Sequence, residues 1–303
     1  MATPMQTRPV PTVAVVGPGA IGTTVAAALY ERGITPGLYG RTARTGLELV
    51  APDARIAVPG PVVTDAAVVR GPADIVFLAV KATQIESAAP WLRALCGPET
   101  VICVLQNGVE QIAMVSPHVP QGAAIVPAVV WFPAQAHPDG TVVLRGDARL
   151  TLPRSTAAER VVGVLHGSRC STEIADDFLS IAWRKLLQNA AAGLMALTGR
   201  RAGMYTRPDI ADLTLAYLRE CLSVARAEGA RLDDGVPAEI LAGFRSFPAD
   251  MSTSILTDRE ASRPLEWEIR NGVVSRLGRA HDIPTPIGDV ITALLAATSD
   301  GPG

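Results

Sequence analysis

Short, continuously apolar runs alternate with helical patterns along the first half of the chain. Runs of this kind are typical of strands buried on both faces, which indicates a parallel sheet covered by helices. They occupy residues 12–16, 35–40, 74–80 and 100–105. Three further runs, at 124–132, 140–146 and 148–153, predict a short additional set of strands, for which an antiparallel arrangement is one option.

Long helical patterns replace the strands after about residue 174. They cover residues 178–197, 209–230, 237–246, 265–281 and 287–298, and turn signals separate them. The sequence therefore predicts two domains: an α/β domain with a Rossmann-type doubly wound parallel sheet over residues 1–173, followed by an all-helical domain over residues 174–303.

Composition narrows the class of protein. Hydrophobic residues make up 48% of the chain and the formal net charge is −2, which argues against a nucleic-acid binder. The longest apolar runs are shorter than the roughly 18 residues of a membrane helix, so no membrane association is expected. Residues 1–11 are polar and Pro-rich, so we expect them to form a short loose tail rather than a signal peptide. The cysteines and histidines show no metal-ligand spacing, so we expect reduced thiols, no metal and a cytoplasmic protein.

A glycine pattern follows the first predicted strand. Gly17, Gly19 and Gly22 give G-x-G-x-x-G, and residues 17–22, including Ala20 and Ile21, lead from a strand into a helix. A generic strand-to-helix turn would share this pattern. The context favours a Rossmann-type dinucleotide site, because the glycines let the backbone approach a pyrophosphate at the N-terminus of a helix.

The end of the second predicted strand indicates which dinucleotide binds. The acidic residue that would bind the ribose hydroxyls of NAD is absent, and Arg41 stands there instead. An arginine can hold a 2′-phosphate by bidentate hydrogen bonds, so the sequence predicts NADP (NADPH) with Arg41 as the main determinant. A solvated arginine is the alternative interpretation.

Two further residues follow predicted strands of the sheet. Lys81 comes after the run at 74–80, and Asn107, followed by Gly108, comes after the run at 100–105. The carboxyl ends of parallel strands form the ligand crevice of a doubly wound sheet, so both are candidate site residues. An ordinary turn also explains Asn107-Gly108 taken alone.

Lysine is rare in this chain. The 27 basic side chains include lysine only at positions 81 and 185. A lysine amine can exchange a proton, whereas arginine stays charged, so Lys185 is a candidate proton donor to the alkoxide that hydride transfer to a ketone produces. Asn189 lies four residues later, on the same helix face. A solvated surface lysine is the alternative.

The ordered set of motifs resembles the ketopantoate reductase (2-dehydropantoate 2-reductase) family over nearly the whole chain. It comprises GPGAIG, an arginine after the second strand, VKATQ, QNG, WRKLLQNA, TSILTD and EWEIRNG. The resemblance implies a Rossmann-type domain, a helical domain, and NADPH and substrate in the cleft between them.

The resemblance also implies residue roles. Lys185 looks like the general acid, and Glu266 like the residue that hydrogen-bonds the substrate or orients that lysine. Asn189 and Ser254 look like substrate contacts, while Lys81 and Asn107 look like cofactor-side residues near the bound substrate. Glu266 is also one helical turn from Arg270, so an exposed ion pair is the alternative interpretation.

One departure from the family pattern concerns the substrate. Gly193 occupies a position where relatives often carry a second helix asparagine, so an amide contact is missing. We expect reduction of a small-molecule 2-oxo acid, with 2-dehydropantoate as the leading case. A different oxo acid, an imine, and a non-catalytic NADP-binding sensor are the alternatives. The oligomeric state is open, and a homodimer through apolar helix faces is one option.

Overall fold

A computed structural model describes residues 11–301, so nearly all of the expected N-terminal tail lies outside the described residues. The chain divides into two units. The first contains the chain up to Gln106 and residues Gln111–Asp176, and the second contains Asn107–Glu110 and the chain from Asp177 onward. The single boundary expected at 173/174 does not account for the segment 107–110, which belongs with the helical part.

The strands of the described residues all lie in the first unit. They are β1 Val13–Val16, β2 Gly37–Tyr39, β3 Gly46–Val50, β4 Arg55–Pro59, β5 Val62–Val63, β6 Ile75–Leu78, β7 Val101–Val104, β8 Ala124–Pro127, β9 Val129–Val130, β10 Ala134–Ala136, β11 Thr141–Leu144, β12 Ala148–Pro153 and β13 Cys170–Ala175. The helices of this unit are α1 Ala20–Glu31, α2 Ile85–Leu95, α3 Gln111–Val115 and α4 Thr156–Leu165.

The main sheet has six strands in the order β5-β2-β1-β6-β7-β8, and all of its pairs are parallel. Strands β1, β6 and β7 are buried at every position, as their uninterrupted apolar runs predict. This doubly wound arrangement confirms the predicted fold class of the N-terminal part.

The additional strands contribute to two small sheets and, through β8, to the main sheet, and they are antiparallel only in part. Strand β12 pairs antiparallel with β9 but parallel with β13, because helix α4 connects β12 to β13 and carries the chain back to the same end. The run at 124–132 is interrupted at Ala128 and contributes β8 to the main sheet and β9 to a three-stranded sheet. A four-stranded sheet has the order β10-β11-β3-β4.

The second unit is helical throughout its described residues. Its helices are α5 Phe178–Thr198, α6 Pro208–Ala227, α7 Val236–Ser246, α8 Ser254–Glu260, α9 Val273–Ala280 and α10 Pro286–Asp300, with a π-helical turn at Glu268–Gly272. The predicted helix at 265–281 corresponds to the π turn and α9, while α8 was not predicted. The core of this unit draws on side chains from all six helices, α5 to α10, and Trp183 and Tyr217 are almost fully buried in it.

Neither a membrane span nor a metal cluster is found in the range 11–301. No helix there combines the length and the apolar character that crossing a bilayer requires. The same range contains no group of three or more His, Cys, Asp or Glu side chains that could hold a metal ion. All four cysteines are buried, unpaired thiols, and burial raises the pKa of Cys96 and Cys170 to about 12, so neither is a nucleophile at neutral pH.

Candidate active site

The glycine loop after β1 is shaped by contacts that exclude side chains. Gly17 has φ +85°, and a Cβ there would lie 2.6 Å from Val80 Cγ1. A Cβ at Gly22 would lie 2.4 Å from the carbonyl oxygen of Gly17, so helix α1 packs directly on the loop. These two positions therefore require glycine for the turn and for the close packing of strand and helix.

The space beside Gly19, at the N-terminus of α1, is not filled by other atoms of the described residues. A Cβ at Gly19 would meet no atom within 4 Å, and no side chain caps α1 at this residue. The amides of Ala20, Ile21 and Gly22 are in the first turn of α1, where backbone N–H groups have no helical acceptor. Open space beside a helix N-terminus fits the pyrophosphate of a dinucleotide.

Two arginines follow β2 next to this loop. Gly40 lies against the loop, because a Cβ there would be 2.9 Å from Pro18 Cδ, and Arg41 comes directly after it with an exposed side chain. Arg44 is half-buried, and its Nη1 is buried without a hydrogen-bond partner among residues 11–301. An unsatisfied guanidinium nitrogen requires an acceptor, and the 2′-phosphate of NADP has the chemistry to supply one.

Lys81 lies beyond the carboxyl end of β6, the strand next to β1. It is half-buried and precedes the 3₁₀ turn Ala82–Gln84, and its backbone N–H donates to Gln84 Oε1 at 3.4 Å. The loops that carry the glycines, Arg41 and Lys81 thus follow three adjacent strands, in the order β2-β1-β6. The candidate cofactor residues of the first unit therefore all lie at the carboxyl ends of the parallel strands.

Asn107 belongs to the second unit. Its Oδ1 accepts a hydrogen bond from Asn189 Nδ2 at 3.2 Å. Gly108 has φ +104° and passes close to Ile269, since a Cβ there would lie 3.4 Å from Ile269 Cβ. Asn107, which is expected near both the cofactor and the substrate, therefore pairs with Asn189, a predicted substrate contact.

Helix α5 carries Lys185 and Asn189 one turn apart. The helix begins after Asp177, whose side chain accepts from Ser180 N, and ends at Gly199 with φ +67°. Lys185 is half-buried and Asn189 is buried, in contrast to the solvated surface lysine of the alternative interpretation. Burial, with a smaller contribution from the positive charge of Arg270, lowers the pKa of Lys185 to about 8.

Glu266 forms a buried ion pair with Arg270. Arg270 Nη2 lies 3.2 Å from Glu266 Oε2, and the two side chains are only 2% and 7% exposed. The exposed ion pair considered from the sequence is therefore wrong. The same nitrogen donates to Ser254 Oγ at 3.0 Å, so Arg270 links two predicted site residues, Ser254 on α8 and Glu266 just before the π-helical turn.

Gly193 makes room for Asn271. A Cβ at Gly193 would lie 2.8 Å from Asn271 Nδ2 and 3.0 Å from Leu295 Cδ1. The Asn271 side chain is fully buried there and donates to Ala190 O and to Tyr217 Oη, each at 3.0 Å. Glycine at position 193 therefore has a packing reason, and its presence does not by itself indicate a different substrate.

The structure thus groups the predicted site residues in two sets. The glycine loop, Arg41 and Lys81 belong to the first unit, and the remaining residues to the second unit: Asn107, Lys185, Asn189, Ser254 and Glu266. The sequence assigns no site role to Arg270 or Asn271. The i, i+4 spacing of Glu266 and Arg270 was visible, but spacing carries no information about burial.

Two protein-family models match this chain, one over its N-terminal half and one over its C-terminal half. The model of Ketopantoate reductase PanE/ApbA matches residues 13–156, and that of Ketopantoate reductase PanE/ApbA C terminal matches residues 177–299. Each matched range falls within one of the two predicted domains, residues 1–173 and residues 174–303.

Full-length relatives agree with the family models. The 2-dehydropantoate 2-reductase of Mycobacterium tuberculosis strain H37Rv is 55% identical over 96% of this chain and 99% of its own length. The 2-dehydropantoate 2-reductase of Caulobacter vibrioides is 35% identical over 95% of this chain and 99% of its own length. Among solved structures, dimeric ketopantoate reductase from Staphylococcus aureus superposes with a TM-score of 0.87 at 28% identity, covering 96% of this chain and 100% of that one.

Proposed function

Since the chain belongs to the ketopantoate reductase family, we propose that it reduces 2-dehydropantoate to pantoate with NADPH. The 55% identical relative, which carries this activity in its name and spans nearly the whole chain, is the observation that supports the assignment most strongly. The substrate is thus a small-molecule 2-oxo acid, and the product belongs to pantothenate biosynthesis.

The first unit supplies the residues that would hold the cofactor. Gly17, Gly19 and Gly22, with the amides of Ala20 and Ile21, fit the pyrophosphate. Arg41, with Arg44 three residues later in the same loop, fits the 2′-phosphate and gives the preference for NADPH over NADH. Lys81 contributes a cation at the same edge of the sheet. NADPH supplies the hydride that reduces the keto carbon.

Lys185 supplies the proton. Its ammonium group donates a hydrogen bond to the keto oxygen, which stabilises the negative charge that develops there, and then transfers the proton to the new hydroxyl group. Burial lowers the pKa of Lys185 to about 8, which makes the ammonium a stronger acid than an exposed lysine. Arginine could supply the charge at this position but could not release the proton.

Polar groups of the second unit hold the substrate. We assign Ser254 and Asn189 to substrate contacts, with the Ser254 hydroxyl donating to the carboxylate. The Asn107 side chain, which bonds Asn189, fixes the orientation of that amide. Glu266 hydrogen-bonds the substrate or orients Lys185, and its ion pair with Arg270 keeps its carboxylate in one place.

The test is NADPH oxidation by the pure protein. Incubation with NADPH and 2-dehydropantoate should deplete the absorbance of the reduced nicotinamide, and pantoate should accumulate in equal amount. A panel of other 2-oxo acids and an imine serves as the comparison, and the highest kcat/KM should belong to 2-dehydropantoate. Stoichiometric NADPH binding in calorimetry without oxidation of any of these compounds would identify a sensor instead.

We also propose that the protein is a homodimer that works in the cytoplasm. The similar Staphylococcus aureus enzyme is dimeric. Helix α10 exposes an uninterrupted apolar stripe of Val290, Ala293, Leu294 and Ala297, and the side chains of Val290 and Leu294 are 59% and 53% exposed. A second copy of the chain is the occupant that would cover this stripe. Four unpaired thiols agree with a reducing compartment.

A further inference from the structure

Arg270 is the most deeply buried cation of the second unit's described residues. It is 1% exposed and lies in the π-helical turn Glu268–Gly272. The wider turn places three consecutive residues, Ile269, Arg270 and Asn271, in the interior. Burial of a guanidinium group is unfavourable unless its charge and its donors find partners, so this position requires an explanation.

The partners of Arg270 include two residues that we place in the substrate site. One nitrogen, Nη2, donates to Ser254 Oγ at 3.0 Å and to Glu266 Oε2 at 3.2 Å. The Nε of the same side chain is buried without a hydrogen-bond partner among residues 11–301. A side chain that served only to neutralise Glu266 would not need the bond to Ser254.

The bond to Ser254 has a direction that follows from chemistry. A guanidinium group can only donate, so Ser254 Oγ must accept in this bond. The hydroxyl proton of Ser254 is then left for another acceptor, and within the range 11–301 it reaches none. The residue is exposed, so that proton is available to a bound molecule. The carboxylate of a 2-oxo acid is an acceptor of the required kind.

We propose that Arg270 is a positioning residue for the reduction, because its guanidinium group makes the Ser254 hydroxyl an obligate donor to the substrate carboxylate and fixes the Glu266 carboxylate. This inference rests on the proposed function. Arg270 acts through Ser254 and Glu266 and does not itself contact the substrate, since its side chain is only 2% exposed.

A double-mutant cycle tests the link between Arg270 and Ser254. We expect Ser254→Ala to raise the KM for 2-dehydropantoate by about 10-fold to 100-fold, the range for loss of a hydrogen bond to a charged group. Arg270→Met should raise KM by a similar factor, and the double variant should be no worse than the poorer single variant. The Kd for NADPH, measured by calorimetry, should stay within about 2-fold of wild type in all three variants. Multiplicative effects of the two substitutions on KM would overturn the inference.

A second variant keeps the inference testable if Arg270→Met does not fold. Arg270→Lys retains the charge, but its ammonium group is carried on a shorter side chain and does not reach the position of Nη2, from which both bonds are made. We expect this variant to fold, with KM for the oxo acid still raised. A wild-type KM in Arg270→Lys would overturn the inference, because charge alone would then suffice.

The matched control is Arg279→Met. Arg279 follows on helix α9, pairs with Asp289, and has a side chain that is 68% exposed. Its kinetic constants should equal those of the wild type. If the wild type turns over the substrate but the Arg270 and Ser254 substitutions act independently, only the positioning role is overturned. If the wild type turns over no member of the oxo-acid panel, the proposed function is overturned as well.

Discussion

Replacing Lys185 with methionine is expected to stabilise the fold while it removes the proton donor. Burial lowers the pKa of Lys185 from 10.5 to about 8. Because each pKa unit corresponds to about 1.4 kcal/mol, the charged lysine costs up to roughly 3 kcal/mol of folding free energy at neutral pH. Methionine has a similar length and no charge. We therefore expect Lys185→Met to raise the free energy of unfolding by about 1–3 kcal/mol at about pH 7.

The dependence of this gain on pH has a definite sign. Below about pH 8 the lysine is protonated in both the folded and the unfolded chain, so its cost is fully present. Between about 8 and 10.5 the unfolded chain binds more protons than the folded chain, so the wild type becomes more stable as pH rises. The advantage of the methionine variant should therefore shrink over this interval.

Urea denaturation of both proteins at about pH 7 and about pH 10 measures the effect. Arg184→Met, next to Lys185 and paired with Glu239 on the surface, is the control, and its stability should change by less than about 1 kcal/mol. A methionine variant less stable than the wild type at neutral pH, or a gain that does not change with pH, would refute the reasoning.

The same substitution has a kinetic counterpart. The general acid must be protonated, so wild-type kcat should fall as pH rises through about 8. Lys185→Met should lose about 10²-fold to 10⁴-fold in kcat and lack this alkaline decline. Near-normal turnover of the variant would remove Lys185 from the mechanism. Greater stability combined with lost activity is the outcome expected of a destabilising catalytic residue.

Three further predictions concern other parts of the chain. Arg41→Ala should lower kcat/KM for NADPH by at least about 10-fold and leave that for NADH nearly unchanged, as steady-state kinetics would show. Gly193→Ala should lower the free energy of unfolding by about 1–2 kcal/mol through its clash with Asn271, whereas Gly243→Ala, whose Cβ would meet nothing within 4 Å, should raise it by about 0.5–1 kcal/mol. Equal changes in urea denaturation would contradict this account. Leu294→Glu should convert the proposed dimer to a monomer in sedimentation experiments without changing the melting temperature by more than a few degrees.

Local sequence patterns were sufficient to predict the central strands of the sheet and the glycine loop. The strands at residues 13–16, 75–78 and 101–104 are buried on both faces, so their signal is a plain apolar run. The glycine loop was recognisable because each of its three glycine positions has its own steric requirement. The close contacts at Gly17 and Gly22 show two of these requirements. Features that depend on a single chain segment are those that a sequence reveals.

Contacts between distant segments were not predictable in the same way. Strands β3 and β4 pair with each other, but β3 also needs β11, which lies about 90 residues later, to complete its sheet. The segment 107–110 resembles an ordinary turn until Asn189 is placed beside it. Spacing alone could not show that the pair of Glu266 and Arg270 is buried, because an i, i+4 pair looks the same on an exposed and on a buried helix face.

Two of the cations in the second unit, Arg270 and Lys185, have side chains that are suited to different tasks. Arg270 keeps its proton at any physiological pH, so it can hold Ser254 and Glu266 in a fixed geometry without taking part in proton transfer. Its charge disfavours a second cation nearby, and that effect falls on Lys185, the member of the pair that can release a proton. Two lysines would leave the geometry loose and the site of proton loss undefined, and two arginines would leave no proton donor. Under the proposed mechanism the scarcity of lysine in this chain is informative at position 185, because there the choice between Lys and Arg would decide whether the site can complete the reduction.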